Sequence, residues 1–201
     1  MRVPNISWKI RKGPDWWDES AEDYFKGKRV LIVSLPGAFT PTCSTQQLPN
    51  LEELYDQYKE YGIDEVYCLS VNDSFVINAW AESLKIEKVQ MIPDGSGEFT
   101  RDMDMLVWKP GQNFGYRSWR YAMIVDDMEV EKMFVEEGKN QTGHDNDPYK
   151  VTIPENILTY LKVLNPKIVP IPTVTVSETT NEDLSSLTRG RTSADNITGP
   201  Y

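Results

Sequence analysis

Cys43 is the residue of this chain best placed to do chemistry. It stands in Pro36-Gly37-Ala38-Phe39-Thr40-Pro41-Thr42-Cys43-Ser44. A stretch that reads as a strand precedes it, and one that reads as a helix starts at it. The chain has 2 cysteines, the other being Cys68, so a disulfide framework is not indicated. A thiol reacts as its thiolate. The unpaired N–H groups of a helix N-terminus favour that anion, and so does a nearby arginine. Position supplies the first, while the arginine must come from elsewhere in the chain. Pro36 and Pro41 restrict the loop and bring no N–H groups. The Thr40 hydroxyl can both donate and accept a hydrogen bond. That suits a substrate of the form H–O–O–R, and it suits a plain helix N-cap equally.

The other candidates read as structure. His144, the sole histidine, lies in the polar stretch GKNQTGHDNDP, where a Cys–His hydrolase would need it beside Cys43. Cys68 sits mid-strand between Tyr67 and Leu69 and reads as a small buried hydrophobe. Two cysteines and one histidine so far apart do not make a transition-metal site. Metal and cofactor are expected to be none.

The elements that must position Cys43 follow from hydrophobic period. Residues 28–35 are β-branched and apolar and end at Pro36-Gly37, which predicts a buried strand. A helix is expected over 42–61, with a kink or broken first turn at Pro49 and a stop at Gly62. A second strand is expected over 64–71. Ser74 can cap a helix whose apolar positions are Phe75, Ala79, Trp80 and Leu84. A short strand over 88–92 and a short helix over 98–105 follow. Residues 121–125 and 129–135 flank Asp126-Asp127 as a β-hairpin, and Pro154 opens a closing helix over 154–164. Strand–helix–strand–helix–strand, then hairpin, then helix, predicts an α/β domain with a thioredoxin-like fold: a central mixed β-sheet flanked by helices. That domain is expected over residues 1–164. Residues 165–201 change character and read as a polar C-terminal extension, either a tail or an extended arm using Ile168, Val169, Ile171, Val174 and Val176.

The chain has 201 residues and a formal net charge of −10. A nucleic-acid binder needs a basic face, so no nucleic-acid partner is expected. No apolar run approaches a membrane span, and the N-terminal residues do not read as a signal peptide. A reducing, cytoplasmic location is the expectation, without a membrane partner.

The residues around Cys43 resemble the peroxiredoxin family, in the group that holds the plant type II enzymes, mammalian peroxiredoxin-5 and the bacterial peroxiredoxin–glutaredoxin fusions. The loop from Pro36 to Ser44 carries the resemblance, with Leu48-Pro49 after it. The stretches from Cys68 to Val76, from Pro93 to Thr100 and from Arg117 to Ala122 extend it. The resemblance implies that Cys43 is the peroxidatic cysteine, that Thr40 orients the peroxide and that Pro36 shields the site. It implies that Arg120 supports the thiolate, with Arg117 as the rival. It also implies a thiol-dependent peroxidase for hydrogen peroxide and organic hydroperoxides, passing through a sulfenic acid. The region near 138–147, where some relatives place a resolving cysteine, has none. A one-cysteine mechanism is therefore expected, with an external thiol reductant (glutathione with glutaredoxin, or thioredoxin). A homodimer is expected as well. Two rivals stand against this reading. A disulfide oxidoreductase would need Cys-x-x-Cys, and Gln46 and Thr40 occupy the partner positions. A non-catalytic thioredoxin-fold binding module or chaperone would have no use for Thr40, Cys43 and Arg120 together, and a redox-sensing protein stands beside them as the alternative.

Overall fold

The computed structural model describes residues 1–165. The expectation of a tail or arm over 165–201 falls outside the described residues. The first elements are a hairpin, β1 (Ser7–Lys12) against β2 (Asp15–Ser20), which turns at Gly13 with φ +59°. Trp8 and Ile10 of β1 point inward and are buried. This hairpin was not anticipated, because a single pair of inward residues is too short a pattern to separate a strand from a loop. Ser20 then caps α1 (Ala21–Phe25) in a reciprocal capping box with Asp23.

The main sheet is built from β3 (Arg29–Leu35), β4 (Glu65–Ser70), β5 (Gln90–Pro93), β8 (Tyr121–Asp126) and β9 (Glu129–Val135). Their order is β5-β4-β3-β8-β9. β3, β4 and β5 run parallel, and β8 lies antiparallel to β3 and β9. The sheet is therefore mixed, as the element order predicts. α2 (Leu48–Glu60), α3 (Ser74–Leu84) and α5 (Pro154–Leu164) cover one face. α1, the hairpin, α4 (Glu98–Asp102) and a small ribbon of β6 (Leu106–Lys109) with β7 (Gly115–Ser118) cover the other.

β3 reads as a near-continuous apolar run, interrupted at Ser34, because both faces of the sheet are covered. Val30 and Ile32 enter one core, and Leu31, Val33 and Leu35 enter the other. Full burial of such a side chain contributes roughly 1.5–3 kcal/mol. Among the described residues no helix is long and apolar enough to cross a membrane.

Some boundaries differ from the sequence-based reading. Asp73, not Ser74, caps α3, its carboxylate accepting from the N–H groups of Phe75 and Val76. Ser74 is free to donate to the Lys9 carbonyl at 2.8 Å and so ties α3 to the hairpin. The helix expected over 98–105 ends at Asp102, with Asp104 at φ +57°. In the turn between β8 and β9, Asp127 and Met128 both have positive φ, the geometry that matches the twist of a tight hairpin.

Candidate active site

Cys43 is fully buried at the start of a π-helical turn, Cys43–Gln47, that runs directly into α2. The Leu48 N–H donates back to the Cys43 carbonyl, five residues earlier. Pro49 gives the physical reason for the break. It has no N–H to continue the ladder, and its ring would press on the carbonyl four residues before it. A widened turn relieves both, and such turns gather at functional sites.

The loop ahead of Cys43 is held from three sides. The Asn72 side-chain oxygen accepts from the Ala38 N–H at 3.0 Å and from the Ser70 hydroxyl at 2.7 Å. Arg117 donates to the carbonyls of Val71 at 3.0 Å and Phe114 at 3.1 Å. Gly37 passes so close that an added Cβ would lie 3.4 Å from Arg117 Nη1 and 3.4 Å from Thr40 Cγ2. Phe39 takes a left-handed conformation, φ +60°, and is exposed. That conformation costs a non-glycine residue roughly 1–2 kcal/mol, so the surrounding bonds must hold it. Thr40 Oγ1 donates to the Gly37 carbonyl at 2.8 Å, and the Thr40 carbonyl accepts the Ser44 N–H at 3.0 Å. The hydroxyl thus spends its proton on the loop and keeps acceptor capacity. Pro36 is buried at the end of β3.

The arginine comes from across the sheet. β3 and β8 are antiparallel with Ser34 opposite Tyr121. Arg120, just before β8, therefore lies beside the end of β3 from which the cysteine loop departs. It is 1% exposed. Its Nη1 donates to Cys43 Sγ at 3.5 Å and to Gln47 Oε1 at 2.5 Å. Its Nη2 pairs with Asp147 Oδ1 at 2.5 Å, and its plane lies 5.4 Å from the Tyr149 ring. Burial opposes the charge, but Cys43 and Asp147 outweigh it and hold the guanidinium above its ordinary value. Arg117 makes no such contact, and burial pushes it down.

The structure thus brings Cys43 and Arg120 into contact, with Pro36 and Thr40 on the adjoining loop. Sequence reasoning missed Gln47, Asp147, Tyr149 and Asn72. Gln47 was open to discovery, since four residues after Cys43 falls on the same helical face. Asp147 carried no local signal. It has φ +46°, and its N–H bonds Asp145 Oδ1 at 2.9 Å. Asp145 in turn pairs with Lys109 at 2.8 Å, both side chains being nearly inaccessible. Behind this loop Glu136, 3% exposed, accepts from the N–H groups of Lys150 and Thr152 and from the Thr152 hydroxyl.

His144 is exposed on the same loop, and no hydrogen bond joins it to Cys43. Cys68 lies in β4 opposite Val33 and Met91. It is fully buried, and burial, followed by the proximity of Cys43, pushes its thiol up. Both cysteines are free.

Comparison with known proteins places this geometry. The redoxin family pattern matches residues 4–150. Peroxiredoxin y4vD of Sinorhizobium fredii is 54% identical over 173 residues, covering 82% of this chain and 92% of that relative. Hybrid peroxiredoxin hyPrx5 of Haemophilus influenzae is 48% identical over 160 residues, covering 80% of this chain and 64% of that relative. The crystal structure of the Plasmodium falciparum antioxidant protein, a 1-Cys peroxiredoxin, superposes with a TM-score of 0.77 at 38% identity, covering 81% of this chain and 96% of that one. The chain therefore belongs to the peroxiredoxin family, as the loop around Cys43 led us to expect.

Proposed function

We propose that Cys43 is the peroxidatic thiol of this thiol-dependent peroxidase, with Arg120 supporting the thiolate, Thr40 orienting the peroxide and Pro36 shielding the site. The observation that carries the assignment is the 3.5 Å approach of the buried Arg120 Nη1 to Cys43 Sγ. The thiolate attacks one peroxide oxygen. An S–O bond forms, the O–O bond breaks, and the leaving oxygen takes a proton to become water or an alcohol. Cys43 is oxidised to sulfenic acid. An external thiol then condenses with the sulfenic acid, releasing water and leaving a mixed disulfide. A second thiol reduces that disulfide and frees Cys43. Developing charge on the departing oxygen falls beside Arg120, where a preorganised donor acts most strongly.

A one-cysteine cycle is favoured because Cys68 is locked in β4 and buried on both sides. Peroxiredoxins use peroxide substrates and thiol reductants, and the two reductant systems proposed are glutathione with glutaredoxin and thioredoxin. A coupled assay with each donor separates them. Two free cysteines suit a reducing compartment, and the cytoplasm is the location we propose.

A homodimer is the assembly we propose. Phe39, Phe75, Trp108 and Tyr116 are all exposed, on the cysteine loop and on segments near it, and exposed apolar sets mark partner sites. Light scattering tests this, and a monomer at assay concentration removes the dimer. The deciding experiment for the peroxidase assignment is peroxide consumption by wild type and by Cys43→Ser. Undiminished consumption in the variant would overturn the assignment of Cys43. A full loss leaves the rival reading, a binding module or chaperone, without support.

A further inference from the structure

We propose that Asp147 is a positioning residue that sets how much of the Arg120 charge reaches Cys43, and so sets the thiolate fraction of the reacting cysteine. The inference rests on Cys43 being the reacting thiol. One guanidinium serves two anions here: Nη1 faces Cys43 Sγ and Nη2 pairs with Asp147 Oδ1. Gln47 takes a further bond from Nη1 but brings no charge.

The placement of Asp147 is built by the fold. Its backbone sits in the left-handed region and its N–H is tied to Asp145. Asp145 is anchored by Lys109, whose Nζ also lies 5.3 Å from the Trp119 ring, next to Arg120 in the chain. Glu136 pins the end of the same loop at Lys150 and Thr152. The carboxylate is thus delivered to Arg120 by two anchored points on one loop. The titratable or charged groups near Cys43 are Arg120, Asp147, Tyr149 and Cys68. Among the described residues, Asp147 is the one carboxylate that forms an ion pair with the guanidinium.

The sign follows from Coulomb's law. A negative charge on the far side of the guanidinium disfavours a second anion at Sγ. The contacts of 2.5 Å at Nη2 and 3.5 Å at Nη1 hold the oxygen and the sulfur at most about 8 Å apart across the guanidinium, and the Asp147 side chain is partly exposed. At an effective dielectric of about 20, less screening, that repulsion changes the thiolate population about tenfold. Asp147→Asn keeps an acceptor for Nη2 and removes only the charge.

The test is ultraviolet thiolate absorbance against pH, on the full chain in a Cys68→Ser background. With Asp147→Asn the midpoint is expected to fall by about one pH unit, and peroxide reacts about tenfold faster on the acid side of the profile. Asp147→Glu, which keeps the charge, should retain the wild-type midpoint. An unmoved or raised midpoint in folded Asp147→Asn would overturn the inference, because a merely structural clamp predicts one of those. If Asp147→Asn does not fold, Asp147→Ser, which removes the same charge at a partly exposed position, takes its place. It should lower the midpoint too, and a midpoint that stays put refutes the idea equally. Peroxide consumption by Cys43→Ser is measured in parallel. Its survival defeats the peroxidatic assignment, whereas an unmoved midpoint with that assignment intact defeats only the role of Asp147.

Discussion

Replacing Arg120 by methionine is the sharpest perturbation of the site. Methionine keeps an unbranched side chain in the same buried space and removes the guanidinium. The charge–charge attraction lost is about 4 kcal/mol for unit charges ~4 Å apart at an effective dielectric of 20. Arg120 Nη1 stands 3.5 Å from Cys43 Sγ and is shielded from solvent, so little of this is screened. Donors that act on charge developing in a transition state cost roughly 2.7–4 kcal/mol when removed, or two to three decades in rate. The variant also leaves Asp147 without its partner, which adds to the loss. Arg117→Met is the matched control. It removes bonds to the carbonyls of Val71 and Phe114 but none to the thiol. Its expected loss is below about tenfold in rate, with a stability cost of about 1–3 kcal/mol from carbonyls left unpaired. Single-turnover reaction of reduced enzyme with hydrogen peroxide, in stopped flow, reads the rate, and thermal melts read the fold. Equal mild losses for both arginines would refute the reasoning, as would a fast Arg120→Met enzyme.

The two cysteines should separate cleanly. Cys43→Ser is expected to abolish turnover, while Cys68→Ser keeps most of it and melts earlier because a hydroxyl replaces a buried thiol. Trapping of Cys68→Ser after a single turnover would instead identify Cys68 as a resolving thiol. Thr40→Val should fold and lose about tenfold or more in the peroxide step, since the hydroxyl that bonds Gly37 is gone. A rate equal to wild type would remove Thr40 from the site. Burial works against ionising Glu136, but the bonds from Thr152 and Lys150 prevail and hold its carboxyl below the ordinary range. Its stabilisation is therefore present above the ordinary carboxylate value and lost as pH falls through the lowered one. Glu136→Gln should flatten the acid side of a melting-temperature profile, and an unchanged acid limb would count against that placement.

What the sequence determined by itself was local in origin. The apolar run of β3, the punctuation by Pro36-Gly37 and the helical spacing after Cys43 set the thiol at a strand-to-helix junction. The same kind of reading placed Cys68 inside a strand and put the turn of the last hairpin near Asp127. Each of these depends on neighbours within a turn or two of the chain, so side-chain period and turn residues are enough. The π-helical turn at Cys43–Gln47 was half legible, since Pro49 announced a break but not its form. Beyond the family resemblance, which implied Arg120, only the tertiary structure decided what faces the thiol. Arg120 reaches Cys43 across 77 positions of chain because β8 pairs antiparallel with β3, with Tyr121 opposite Ser34. Asp147 reaches Arg120 because its loop is anchored by Lys109 and Glu136, partners no local pattern could name. Sheet order and loop anchoring are set by burying two cores at once. The partners of a buried charge therefore become visible only when the whole domain has been assembled.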